Sequence, residues 1–321
     1  MLQNNMLFVL ICCFCAKTKL LNAETLPEQL KASEEDSGKF SQQEATLTPY
    51  FSTEDPVKSQ NISIQAVEEK TTNVSLKSSG ASVPLSSGLS GLFRIPLSLS
   101  LDSVDDMYYG CSEKMLIKVK RQFLPRRTRE GLHTTYTTLC AIKAMKNKDT
   151  YDLLSWDHFK ALCAYTAGSY DDLNRAVRKG KASYKSSFEF HALHFLLSDA
   201  IRLLKLNQRS CYTTYRRSKL LFSGESGQTI RFGSFASSSL NPYLNQFGRR
   251  TCFEIRTCFG AYLKSYSELD SDEDEVLIPP YEMFNIVSVD TSGENHLNCN
   301  VVYKLENAGV YSSLNCQVVD L

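Results

Sequence analysis

The 321-residue chain lacks a charge excess: 36 Lys and Arg stand against 35 Asp and Glu. That balance gives no reason to expect nucleic acid or an anionic membrane as a general partner. It lacks an apolar run long enough to cross a bilayer. The most apolar N-terminal stretch, Met6 to Ala16, has only the length of a signal-peptide core. The C-terminal "SSLNCQVVDL" has neither the polar spacer nor the hydrophobic tail, roughly ten to twenty residues long, of a lipid-anchor signal. A soluble, released product without a stable membrane anchor is the expectation. No internal repeat is visible, and no long linker divides residues 100 to 321.

The N-terminus, "MLQNNMLFVLICCFCAKTKLLNAE", reads as a signal peptide over residues 1–23, with small residues Ala16 and Ala23 as cleavage points. Its first residues carry no Lys or Arg, so a buried N-terminal helix is the alternative. Cysteine usage favours secretion. Cys12, Cys13 and Cys15 fall inside the signal. An even set of eight remains: Cys111, Cys140, Cys163, Cys211, Cys252, Cys258, Cys299 and Cys316. Such a set suits disulfides in an oxidising, extracellular compartment. No Cys-x-x-Cys occurs among the eight, which argues against a zinc ribbon or a thioredoxin-like site. Spacing alone fixes none of their roughly one hundred possible pairings.

Residues 24–100 are rich in Ser, Thr, Glu and Lys, with no Cys and no Trp. Such a segment buries too little apolar surface to offset its ordering entropy, so it reads as a disordered stalk. Both N-glycosylation sequons, at Asn61 and Asn73, fall in it. Leu89 to Leu101 turns apolar and is either the first packed segment or an extended lead-in. The folded domain is expected over 101–321. "CSEKMLIKVKRQFL", "HTTYTTLCAIKAMKNK" and "SWDHFKALCAYTA" have helix-length apolar patterns. The strongest helix is "FEFHALHFLLSDAIRLLKL", where Leu193, Leu196, Leu197, Ala200, Ile201 and Leu204 form one stripe. After Cys211 come short β-branched or aromatic runs: "CYTTYR", "QTIRFG", "TCFEIRTC", "YEMFNIVSV", "CNVVYKL" and "YSSLNCQVV". Helices followed by strands predict an α+β domain: a helical N-terminal half packed on a mixed or antiparallel β core.

The acidic run "ELDSDEDEVLIPP" is the most polar stretch of the strand region. Asp270, Asp272 and Asp274 could open a calcium loop, but its sixth and twelfth positions hold Glu275 and Tyr281 in place of Gly and Glu. A solvated acidic patch is the plainer account of such a run. The junction with Val276, Leu277 and Ile278 argues otherwise. On extended backbone Glu273 and Glu275 project to one side. Paired carboxylates there can hold a sugar hydroxyl and stabilise positive charge at an anomeric carbon. Asp270, Asp272 and Asp274 remain candidates for solvated surface. Arg216 lies late in a short strand, in phase with Tyr212 and Thr214, and its guanidinium fork suits phosphate. "IRFGSFASSSL" adds the aromatic faces of Phe232 and Phe235 and the triplet Ser237, Ser238, Ser239. His191 and His194 are one helical turn apart without a matching third ligand, so a packed or capping role is expected and no metal. "PRRTRE", from Pro125 to Glu130, reads as a solvated turn.

In order along the chain, Tyr215-Arg216, "FASSSL" and Glu273-Asp274-Glu275 before "VLIPPYE" resemble the R-S-E signature of the vertebrate ecto mono-ADP-ribosyltransferases, the arginine-specific branch of their superfamily. The resemblance covers roughly residues 100 to 318. It implies an ADP-ribosyltransferase-type, disulfide-stapled fold with NAD as co-substrate, no metal, and arginine-containing proteins as acceptors. It implies that Arg216 holds the NAD phosphates and that Ser237 orients the nicotinamide end and the catalytic glutamate, with Phe235 beside the cofactor. Glu275 would bind the nicotinamide ribose and stabilise the oxocarbenium-like transition state, and Glu273 would hold the acceptor guanidinium. It also implies the disulfides Cys111–Cys316 and Cys211–Cys258, and says less about Cys140, Cys163, Cys252 and Cys299. One departure is visible: many members have Gly after the signature Arg, where this chain has Arg217, whose side chain must turn away. The expected activity is arginine ADP-ribosylation by a secreted monomer. An NAD glycohydrolase using the same site, or a non-catalytic secreted glycoprotein of the same fold, are the alternatives.

Overall fold

A computed structural model describes residues 94–126, 130–267 and 273–319, all within one unit, Val83–Leu321. The expected signal peptide, both sequons, Asp270 and Asp272 lie outside the described residues.

The fold starts earlier than composition suggested. Residues 94–100, assigned above to the stalk, belong to it: strand β1 (Arg94–Pro96) pairs in parallel with β3 (Leu221–Ser223). The apolar lead-in supplies the reason, since Leu97 packs with Leu221, Ile230 and Ile286. The helical layer follows. Helix α1 (Ser112–Lys118) runs on into a π-helical turn, Val119–Phe123. Helix α2 (Thr135–Lys146) begins where the Thr134 hydroxyl accepts from the Thr137 N–H at 3.0 Å, satisfying one of the open N-terminal donors. Helix α3 (Trp156–Ala164) passes through a π-helical turn, Tyr165–Ser169, into α4 (Tyr170–Lys179), which the apolar pattern did not reveal. Only Leu173, Asn174 and Val177 of α4 are buried, too few for a clear stripe. Helix α5 (His191–Asn207) buries the expected stripe and also Ala192, His194, Phe195 and Ser198, because it packs against α1, α3 and the sheet together.

His191 and His194 are packed residues, as expected. His194 Nδ1 lies 2.8 Å from the Tyr108 hydroxyl, and burial drops its pKa to about 3. His191 stacks on Phe123 at 4.7 Å.

The remaining strands are β2 (Tyr212–Ser218), β4 (Thr229–Ile230), β5 (Ala236–Ser239), β6 (Thr251–Thr257), β7 (Ala261–Tyr262), β8 (Glu275–Ile278), β9 (Glu282–Asp290) and β10 (Val301–Val310). They form one mixed sheet in the order β4-β9-β10-β6-β2-β5-β8-β7, parallel only between β10 and β6. One face carries the helices. The other carries a second core built on Phe253, Ile255, Phe284, Ile286 and Leu305. "YSSLNCQVV", expected as a strand, is a run of turns instead. The Ser313 and Leu314 N–H groups donate to Asp105 Oδ1 at 2.9 and 3.0 Å, so they are not available to a sheet.

All eight cysteines are paired. Cys111–Cys316 and Cys211–Cys258 join as the resemblance implied. Cys140–Cys163 ties α2 to α3, and Cys252–Cys299 ties β6 to the segment before β10.

Candidate active site

Strand β2 pairs with β6 along its whole length but meets β5 at a single position, Tyr215 opposite Ser239. The sheet therefore parts between β2 and β5. A cavity of about 530 Å³ opens there, lined among others by Arg216, Ser237, Glu273 and Glu275. The structure thus brings together the four residues picked out of three separate segments. Arg216 bridges the gap, its Nη1 donating to the Ser237 carbonyl at 2.5 Å. Burial lowers its pKa from the usual value, while Tyr165 and Glu275 favour the charged form.

The three serines have different partners. Ser237 neighbours the carboxyl of Glu275 and the hydroxyl of Tyr165. Ser238 donates to the Val276 carbonyl at 2.9 Å, and Ser239 to the Glu273 carbonyl at 2.5 Å.

The glutamates share the cavity for a different reason from the one expected. Strand β8 begins only at Glu275, and Asp274 has φ +42°, in the left-handed region. The extended backbone assumed between Glu273 and Glu275 is therefore broken. What places Glu273 is the turn: the Leu240 N–H donates to the Asp274 carbonyl at 3.1 Å, and Ser239 holds the preceding carbonyl. Asp274 is not merely solvated, since Tyr262 donates its hydroxyl proton to Oδ1 at 3.1 Å.

Glu275 is 6% exposed, and its Oε2 has no hydrogen-bond partner. Burial pushes its carboxyl up from 4.5 to about 7; Ser237 pulls it down, Glu273 pushes it further up, and Arg216 pulls it down. Burial also raises Glu273. Since the ionised form of Glu275 is the one that can stabilise a cation, kcat/KM for a reaction through such a cation is expected to rise with pH through about 7 and level off above it. A rate profile from pH 5 to 9 checks this; a flat profile across that window would contradict it.

Phe235, expected beside the cofactor, is a core residue. It is 1% exposed and meets His194 and Tyr165 edge-on at 5.3 and 6.0 Å. What its segment gives the site is backbone, through the Phe235 carbonyl that accepts from Tyr165 at 3.3 Å. Tyr165 and Asn174 are among the cavity residues that the sequence reading did not single out. Asn174 donates to the Tyr165 hydroxyl at 3.3 Å, while its buried Oδ1 has no partner. Tyr165 lies near the end of the stretch "SWDHFKALCAYTA", which was read only as a helix, and Asn174 lies in α4, a polar stretch left unassigned. A larger cavity, about 820 Å³, lies between α1 and the segment before α5 and contains none of these residues.

Among the described residues, no group of three or more His, Cys, Asp or Glu is placed to hold a metal. The donor set suits an anionic nucleotide: a guanidinium for phosphate, and two buried oxygens, Glu275 Oε2 and Asn174 Oδ1, that lack donors.

Solved structures that share this architecture include those of a eukaryotic mono-ADP-ribosyltransferase. A mutant of the eukaryotic enzyme ART2.2 in complex with NADH superimposes with a TM-score of 0.59 and 29% identity, over 69% of this chain and 98% of that one. A second mutant of the same enzyme, in complex with NAD, gives a TM-score of 0.58 at 29% identity over the same shares of the two chains. The chain belongs to the NAD:arginine ADP-ribosyltransferase family, whose model matches residues 97–304. Its relatives include NAD(P)(+)--arginine ADP-ribosyltransferase 2 of Gallus gallus, 32% identical over 76% of this chain and 80% of the relative. The GPI-linked NAD(P)(+)--arginine ADP-ribosyltransferase 1 of Homo sapiens is 32% identical over 70% and 75%.

Proposed function

We propose that this chain transfers ADP-ribose from NAD to arginine side chains of proteins and releases nicotinamide. The observation that carries this is the buried carboxyl of Glu275, its Oε2 without a partner, set with Arg216 and Ser237 around one cavity. In this reading Arg216 holds the NAD phosphates by charge-assisted hydrogen bonds. Ser237 orients Glu275 and the nicotinamide end. The bond between the ribose anomeric carbon and the nicotinamide nitrogen breaks, and its electron pair leaves with nicotinamide. The carboxylate of Glu275 stabilises the positive charge left on the ribose. Glu273, at the turn, holds the acceptor guanidinium and takes one of its N–H protons as that nitrogen bonds to the carbon. Residues 1–23 act as a signal peptide, 24–93 as a Ser/Thr-rich lead, and the rest as the catalytic domain, working extracellularly as a monomer. The paired cysteines support an oxidising compartment.

Incubation with labelled NAD, with and without an arginine analogue, tests the proposal. Labelled adduct supports transfer, free ADP-ribose alone supports hydrolysis, and intact NAD refutes both. Glu273→Gln is expected to cut transfer roughly ten- to a hundredfold, the worth of a lost hydrogen bond between charged groups, with nicotinamide release changed far less. Equal losses in both assays would remove the acceptor role of Glu273.

A further inference from the structure

Arg216 and Arg217 are neighbours on β2 and so face opposite sides of the sheet. Both residues border the cavity, but their guanidinium groups go to different places: that of Arg216 bridges to the Ser237 carbonyl. Arg217 enters a small apolar cluster of Cys252, Leu297, Cys299 and Val302, against which Tyr215 packs. At 9% exposure a guanidinium needs its donors met. Nε and Nη2 both donate to the Pro242 carbonyl, at 2.9 and 2.6 Å, and Nη2 also donates to the Leu297 carbonyl at 3.0 Å. Nη1 lies 3.4 Å from Cys299 Sγ and 3.7 Å from Cys252 Sγ. The guanidinium therefore rests on the Cys252–Cys299 disulfide and grips two loops.

One of those loops matters to the cavity. Residues 240–248 contribute Asn241, Leu244, Gln246 and Phe247 to its wall. At the front of the loop, the Asn241 N–H donates at 2.8 Å to the Ser239 hydroxyl, which in turn holds the Glu273 carbonyl. At its end, Gly248 has φ +128°, and a Cβ there would collide with the Ser218 backbone, so the chain lies flush against the end of β2. Between these points, the Arg217 guanidinium holds the Pro242 carbonyl.

We propose that Arg217 is a positioning residue for nucleotide binding, a latch whose guanidinium fixes the 240–248 wall of the cavity through the Pro242 carbonyl. The proposal rests on the assignment of this cavity to NAD. None of the four wall residues has a role in the bond-breaking step, so loosening them weakens binding before it slows chemistry.

Kinetics of nicotinamide release and hydrogen exchange on the full chain test the latch. Arg217→Ala is expected to raise KM for NAD about tenfold or more with kcat within about threefold. Amide exchange in 240–248 should quicken while β8 stays protected. Arg217→Lys, whose single ammonium cannot hold both carbonyls as a fork does, should fall between the two. A KM within about twofold of the parent overturns the latch, even if Tm falls. So does a loss confined to kcat, or unchanged exchange in 240–248. Should the alanine variant fail to fold, Arg217→Lys and Arg217→Gln decide: an unchanged KM in both overturns it. A parent protein that releases no nicotinamide refutes the NAD assignment instead, and exchange in 240–248 alone then judges the latch.

Discussion

Glu275→Gln should cut nicotinamide release from NAD by about a hundredfold or more, while KM for NAD moves only a few fold. Leaving nicotinamide places positive charge on the ribose, and the carboxylate of Glu275 has no other hydrogen-bonding partner for Oε2 to satisfy. Removing one group aimed at developing charge in a water-poor site costs about a hundred- to a thousandfold in kcat. The amide keeps the shape and can still meet a ribose hydroxyl, so binding is largely preserved. Stability provides the control. The folded pKa lies above the ordinary 4.5, at about 7. Between those values the folded state keeps a proton that the unfolded chain releases, so stability is lost as pH rises through that window. The glutamine variant carries no such charge and should be at least as stable as the parent at pH 8. A variant that is stable and inactive fits the assignment; unchanged turnover would remove it.

What the sequence could reveal follows the range of the forces involved. The buried stripe of α5 is local, and its period alone announced it. Arg216, Ser237, Glu273 and Glu275 were legible through the order of three short motifs, yet their convergence depends on the parting of β2 from β5, which no motif encodes. The two-residue spacing of the glutamates pointed to a pair that does share the cavity, but not through extended backbone. An aspartate in the left-handed region, held through its carbonyl by the Leu240 N–H, sets their geometry. Phe235 looked like a ligand face because aromatic residues beside a glycine and serines can be one. Its burial against His194 and Tyr165 is a property of the packed helical layer. Arg217 was marked as a departure whose side chain must turn away, and it does. Its grip on Pro242 and Leu297 links positions about 25 and 80 residues distant, beyond any local pattern.

Asp105→Ala should destabilise the fold by about 3–5 kcal/mol, the cost of leaving a buried charge without its partner. Arg231 and Asp105 are both fully buried at the side chain, with Nη1 and Oδ2 3.0 Å apart. The other Arg231 donors are spent on backbone carbonyls: Leu99 from Nε at 2.7 Å, Ser100 from Nη2 at 3.0 Å, and Tyr311 from Nη1 at 3.2 Å. Asp105 in turn accepts from the Ser313 and Leu314 N–H groups. The pair therefore clasps residues 99–105 to 311–314, and the Cys111–Cys316 disulfide joins the residues that follow each stretch. Alanine leaves the guanidinium unpaired and two backbone donors open at once. Asp105→Asn keeps an acceptor for those donors and should cost clearly less. Denaturant midpoints under non-reducing conditions measure both. A loss below about 1 kcal/mol for the alanine variant would mean that water or a neighbour replaces the carboxylate, and the clasp would lose its role. Neither Arg231 nor Asp105 lines the cavity that holds Arg216 and Glu275. Folded Asp105→Ala protein should therefore release nicotinamide at the parent kcat, the opposite pattern to Glu275→Gln.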